Sequence, residues 1–513
     1  MDDKRISTAS SLILPAQAPI PEGQESPETK RVKKELLAAH ASIQAERWSD
    51  AERRLRYLIK AHPKLAAAMA MLATVVAERE DFEESIRLTL QAIEIVPNVP
   101  EWYGNLCVYY RVTNQFELAT NAGARATQLS PNNPSYFGNL AIAMLDWGKR
   151  DASNAFLIRA QRANAAAGGE DFMDGHRALA ENLLTDGDWV AGWHENSLGV
   201  SGWPAGLPKM QALPWNGMTI PAARILIHAD AGYGDVILFS RFYPQIVPKC
   251  AEVIVACSPE MEPLLRSIPN VKYVTDWTHV PPHAVYCKGM NLPELLGAHP
   301  GNSLRPPYLH APVERKAHWK KVLDETLPKG AVRVGLSWHG KPLYPHDPYR
   351  RRSIPIERMA AALADIPGCA FVNLQTKAPT MSNDDFSKFP NLYGLDWKLK
   401  DWGETAAVIE NLDVVVAIDS AVANLAGALD CRTFAVVPRT AAWRWWGCGQ
   451  DPSHLTTPWY PSVNICRQPA AGDWEGALAM AAEGLRKITG NRQDDKEWSE
   501  AYEDDPAAQA EAA

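Results

Sequence analysis

The sequence predicts a helical repeat array followed by two α/β domains, and three observations carry that prediction. Residue columns in the first third recur every 34 positions, the periodicity changes near Ala223, and from there Val- and Ile-rich runs alternate with helical patterns. The chain has 513 residues, room for two to four domains at ~150 residues each. Its 46% hydrophobic and 22% charged residues are ordinary for a globular protein with real cores.

The repeat is the clearest signal. Trp48, Phe82 and Phe116 are spaced by 34 and Arg150 continues the column; Ala51, Ser85, Ala119 and Ser153 follow by three; Pro63, Pro97 and Pro131 form a third column. Ala92, Ala126 and Ala160 occupy a further small-residue position. Independent columns sharing one period resemble the tetratricopeptide repeat (TPR), a helix-turn-helix unit. That resemblance implies that the aromatic opens the second helix, small residues let the helices approach, and Pro ends the unit. Four units fit, 32–65, 66–99, 100–133 and 134–167, giving an array over 32–167. A helical pair over 168–200 carries Asp188 and Trp189 at the aromatic turn, 39 residues beyond Arg150, and reads as a degenerate cap. Residues 1–31 read as disordered. Stacked repeats form a solenoid whose concave face suits partner recognition; a rigid extension or a dimerisation surface is the alternative use.

The strand candidates are 224–228, 252–257, 271–275, 332–338, 370–375, 413–419 and 433–438. Helix candidates lie between them, at 235–247, 259–267, 356–364, 405–411 and 421–429. Continuous Val/Ile runs alternating with helices predict parallel sheets covered on both faces. A loop-rich stretch, 286–329, separates two strand groups and gives doubly wound domains over 201–330 and 331–489. An acidic tail, 490–513, reads as solvated and disordered.

Ligands of such sheets bind where strands end and helix N-termini meet anions. Three strand ends carry suitable residues. In HADAGYGD (228–235), Gly232 and Gly234 permit a tight turn and close backbone approach, and Asp235 opens the next helix; helix capping alone also accounts for Asp235. After a strand, SWHGKPLYPHDPYRRRSIP (337–355) supplies Trp338, Gly340 and five potential cations, Lys341, His346, Arg350, Arg351 and Arg352. Such a loop can neutralise a diphosphate, and a solvated basic loop is the bland alternative. In AIDSAVANLAGAL (417–429), Asp419 and Ser420 can cap a helix whose first N–H groups are free to bind phosphate oxygens.

In this order these motifs, with the GDWVAGW segment at 187–193 and WYPSVNICRQPAAGDW at 459–474, resemble the heptosyltransferase-like (family 9-like) GT-B glycosyltransferases in the version that carries N-terminal TPRs. O-GlcNAc transferases are more distantly similar. The resemblance implies a TPR α-solenoid followed by a GT-B fold of two Rossmann-like domains, the first facing the acceptor and the second holding a nucleotide-diphosphate sugar. It places Asp235 at the general base and turns Gly232, Gly234, Trp338, Gly340, Lys341, Arg350, Arg351, Arg352, Asp419, Ser420 and Asn424 toward the donor. Transfer would be inverting and metal-independent, the nucleotide sugar serving as co-substrate in place of a cofactor. The family commonly has His where this chain has Asn424, which can donate a hydrogen bond but cannot be cationic. A non-catalytic TPR scaffold with a degenerate transferase domain is the alternative.

Other classes find less support. The formal charge of −8 belongs chiefly to the tail, whose net is −6, so composition signals no basic nucleic-acid surface. The Lys30–Lys34 basic cluster fits a solvated helix start. The longest apolar-rich stretch, Leu65 to Ala77, has 13 residues against the ~18 that a spanning helix needs, and the N-terminus lacks a secretory core, making a cytoplasmic location the expectation. The eight cysteines are scattered without CxxC or zinc-like spacing, so no metal site is expected. Trp is over-represented at 18; Trp338, Trp443, Trp445 and Trp446 could stack on sugar or base, with core packing as the alternative.

Overall fold

The computed structural model describes residues 26–169, 173–200, 212–277, 279–340, 352–375, 389–394, 399–446 and 455–490. The chain divides into two compact units, Met1–Leu179 and Ala180–Ala513.

The first unit is a TPR-like helical solenoid. Its pairs are α1 (Pro27–Gln44) with α2 (Trp48–Ala61), α3 (Ala66–Ala77) with α4 (Phe82–Ile95), α5 (Pro100–Val112) with α6 (Phe116–Leu129), and α7 (Pro134–Asp146) with α8 (Arg150–Ala166). Each second helix opens on the residue of the aromatic column or on Arg150. Ala51, Ser85, Ala119, Ser153, Ala92, Ala126 and Ala160 are all buried, since only small side chains fit where paired helices touch. Another column was not legible. Glu46, Glu80, Asn114 and Gly148, again 34 apart, take positive φ between 54° and 82°. Each lies just after the first helix of its pair, and the next N–H bonds the carbonyl five residues back: Arg47 to Ser42, Asp81 to Val76, Gln115 to Tyr110, Lys149 to Met144. This left-handed cap reverses the chain in every unit.

Two boundaries differ from expectation. Helix α1 begins at Pro27, not at 32, because Ser26 caps it by accepting from Thr29 N at 3.1 Å; the basic cluster lies inside this helix. The pair at 168–200 forms α9 (Met173–Thr185) and α10 (Trp189–Gly199) around the same turn, with Gly187 at φ 81°. The division between units falls within α9, however, so α10 belongs to the second unit. Trp193 explains this: its ring meets Trp443, Trp459 and Phe239, and its Nε1 donates to Ala298 O at 2.6 Å.

The second unit contains two all-parallel sheets. The first uses β1 (Leu213–Pro214), β2 (Ile220–His228), β3 (Cys250–Ala256), β4 (Val271–Val274) and β5 (Val285–Lys288), in the order β1-β5-β2-β3-β4. The second uses β6 (Val332–Ser337), β7 (Cys369–Asn373), β8 (Leu392–Tyr393), β9 (Val414–Ile418), β10 (Thr433–Val437) and β11 (Val463–Arg467), in the order β11-β10-β9-β6-β7-β8. Helices α11 (Tyr233–Ser240), α12 (Tyr243–Ile246), α13 (Glu262–Leu265), α14 (Leu292–Leu296), α15 (Val313–Thr326), α16 (Ile356–Leu363), α17 (Trp402–Ile409), α18 (Ala421–Ala428) and α19 (Trp474–Gly490) complete the unit. The stretch expected as loop, 286–329, instead carries most of β5, α14 and the 14-residue α15. Helix α15 fully buries only Trp319 and Leu323, too thin an apolar stripe to stand out in sequence.

Strand order locates the sites. From β2 the chain proceeds outward to β3 and β4, then returns to place β5 on the other side of β2. Likewise β6 is followed outward by β7 and β8, and then β9 returns to its other flank. In open parallel sheets ligands bind at the carboxyl ends of strands beside such reversals, which here include β2, β6 and β9. The three motifs singled out in the sequence follow those strands.

Candidate functional site

The turn after β2 leads into α11, which packs against α18. Gly232 is the N-cap of α11 with φ −57°, so no left-handed backbone demands glycine there. Gly234 is different: a Cβ would lie 3.1 Å from Asn424 Nδ2 and 3.5 Å from Ala421 Cα, so its missing side chain is what lets the two helices approach. Asp235 sits in the first turn of α11, where the helix dipole favours a carboxylate. Its Oδ1 lies 2.6 Å from Arg444 Nη2, and both side chains are only 13% exposed.

After β9, Ser420 caps α18 by accepting from Ala423 N at 3.5 Å. Asp419 is buried; its Oδ1 accepts from Trp445 Nε1 at 2.7 Å, and Arg352 Nη1 is 3.7 Å from its Oδ2. Asn424 donates to Ser420 O at 2.9 Å and accepts from the Tyr460 hydroxyl at 3.1 Å.

After β6, three donors converge on one oxygen. Gln375 Oε1 accepts from Ser337 Oγ at 3.0 Å, Trp338 N at 2.8 Å and His339 N at 2.7 Å. Gly340 N donates to Ser353 Oγ at 3.1 Å. Trp338 itself is wholly buried beside Ile354, Ile356 and Ile418, so it is a core residue and not a stacking platform. Trp443 and Trp445 are buried as well.

Arg444 links these parts. It belongs to the short turn Trp443–Trp445, pinned where Trp443 N donates to Glu181 Oε2 at 3.1 Å. Burial alone would lower the Arg444 pKa, but the carboxylates of Asp235, Asp419 and Glu181 hold it above the usual arginine range. Burial raises the Glu181 carboxyl, with the Arg444 charge and the Trp443 N–H opposing. Neither Arg444 nor Glu181 was legible as a site residue, because both lie far in sequence from the motifs they join. Gln375 follows β7 without any motif of its own.

No family model matches the chain. Protein FlbA of Caulobacter vibrioides is 26% identical in an alignment 375 residues long that covers 67% of this chain and 60% of FlbA. The matched stretch therefore spans less than two thirds of that relative. Among solved structures, Pseudomonas aeruginosa pilF is 17% identical, with a TM-score of 0.32, over 35% of this chain and 80% of its own. A thermophilic TPR protein of Thermus thermophilus is 17% identical, with a TM-score of 0.29, over 34% of this chain and 93% of its own.

Of the residues expected at a donor site, the structure gathers Gly232, Gly234, Asp235, Asp419, Ser420 and Asn424 where α11 meets α18, with Arg352 reaching Asp419. Lys341, Arg350 and Arg351 lie outside the described residues. Asn424 is 1% exposed and its amide is engaged on both sides, so it supports the helix contact more than an open surface. Among the described residues, no group of three or more His, Cys, Asp or Glu is placed to hold a metal ion, and no helix is long and apolar enough to cross a membrane.

Proposed function

We propose that the second unit is a GT-B glycosyltransferase that moves a sugar from a nucleotide-diphosphate donor to a protein or glycan acceptor recruited by the repeats. The observation that carries this reading is the packing of α11, which follows β2, against α18, which follows β9, where a carboxylate, Asp235, meets an arginine, Arg444, from the segment after β10. Ligands of doubly wound sheets bind at strand-order reversals. Glycosyl transfer needs two things there: a base for the acceptor hydroxyl and positive charge for the departing diphosphate. In the reaction the acceptor oxygen bonds to the anomeric carbon as the carbon–oxygen bond to the diphosphate breaks. The bonding pair leaves on the diphosphate, and Asp235 takes the hydroxyl proton. Arg352, the N–H groups that open α18 after β9, and the basic loop that Lys341, Arg350 and Arg351 occupy in sequence supply the opposing charge. Helical repeats present extended concave surfaces and suit the acceptor role.

Incubating the full chain with UDP-, GDP-, ADP- and CDP-sugars tests this. Stabilisation against heat by at least one of them, with slow release of free sugar, is the expected result. The absence of any shift with all of them would falsify it. The scaffold alternative draws on one observation, that Asp235 and Asn424 both have partners within the protein. It predicts that Asp235→Asn leaves the cellular phenotype intact.

A further inference from the structure

We infer that Arg444 is the cation recruited by the donor's diphosphate, and that its ion pair with Asp235 is the resting state of the site. Binding the donor would then also release the Oδ1 oxygen of Asp235 from its ion pair. The inference rests on the glycosyltransferase reading and adds to it a residue that no motif marked.

Three observations support it. The pair is tight and largely buried, so one oxygen of the base, Asp235 Oδ1, is held by Arg444 at rest. The guanidinium is also incompletely used: among the described residues, the buried Arg444 Nε–H has no hydrogen-bond acceptor. A buried donor without an acceptor is costly, and an incoming phosphate oxygen would satisfy it. Finally, the main chain around Arg444 is held independently of its side chain. Trp443 N binds Glu181, Trp445 Nε1 binds Asp419, and Arg444 O accepts from Thr457 Oγ1 at 2.5 Å. The side chain can therefore exchange partners while its backbone stays in place. A diphosphate offers several charged oxygens in fork-matching geometry against the single carboxylate oxygen that Arg444 now contacts.

An internal competitor lowers apparent affinity by the fraction of protein it occupies, so removing it must tighten binding. The test is calorimetric titration of the full chain with UDP, GDP, CDP and ADP, with CMP as the single-phosphate control. For whichever diphosphate the wild type binds, Asp235→Asn should bind about threefold or more tightly. Arg444→Gln should bind about tenfold or more weakly, the loss of a charged contact. If the wild type binds but Asp235→Asn binds equally or less well, Arg444 is a structural bridge and the inference is overturned, leaving the transferase reading standing. If the wild type binds none of the four diphosphates, both fall. Arg444→Gln leaves three carboxylates around an uncharged amide; circular dichroism reports whether it folds, and if it does not, Asp235→Asn decides alone.

Discussion

Asn424 ties its helix to the segment after β10: its Oδ1 accepts from the Tyr460 hydroxyl at 3.1 Å while its Nδ2 donates to Ser420 O at 2.9 Å. Removing it takes an acceptor from the buried Tyr460 hydroxyl. Asn424→Ala should lower stability by about 1–3 kcal/mol in urea unfolding. Asn424→His, which restores the residue common in the resembled family, should also destabilise, since a larger ring must fit beside Gly234. A gain in stability with His would show that the site has more room than the helix contact implies.

Gly234→Ala probes the same contact from the other side. Its new Cβ would meet Asn424 Nδ2 at 3.1 Å and Ala421 Cα at 3.5 Å. Crowding of this kind costs about 1–3 kcal/mol. A thermal midpoint equal to that of the wild type would mean that α11 and α18 separate without penalty.

Trp338→Phe separates packing from recognition. Because Trp338 is wholly buried, the variant should lose stability yet keep its affinity for nucleoside diphosphate within about twofold. A large loss of affinity in a stably folded variant would return Trp338 to the binding surface.

His228 gives the fold a pH dependence. Burial pushes its pKa from 6.5 down to about 4, with His283 and Lys288 adding to the effect. Between those values the unfolded chain binds more protons than the native one, so stability falls as pH drops from 6.5 toward 4. The full effect is on the order of 3 kcal/mol. His228→Gln should flatten this part of the profile relative to wild type, as followed by thermal midpoints at successive pH values; parallel profiles would exclude His228 as the source.

Much of the fold could be read because it repeats or alternates. Trp48, Phe82 and Phe116 mark helix starts at one period, and the Val/Ile runs at β3, β6, β9 and β10 are buried on both faces. Helix α15 escaped because its surface is mostly charged, and α10 joined the second unit through Trp193, a tertiary contact that local pattern does not encode. The site divides in the same way. Asp235 and Asp419 stand next to strand ends, where position alone suggests chemistry. Arg444 is 209 residues from Asp235, and only the folded chain brings them together.

The left-handed turns of the repeat array bear on how it could be made more robust. Glu80 holds φ 64°, a conformation that carries a penalty of about 1–2 kcal/mol for a residue with a Cβ, while Gly148 meets the same geometry freely. Neighbouring helices fix the turn so firmly that the chain accepts the wrong residue there. Glycine at position 80 would relax the backbone at an exposed site and leave the packed interior as it is, so the array holds latent stability in its links and not in its core.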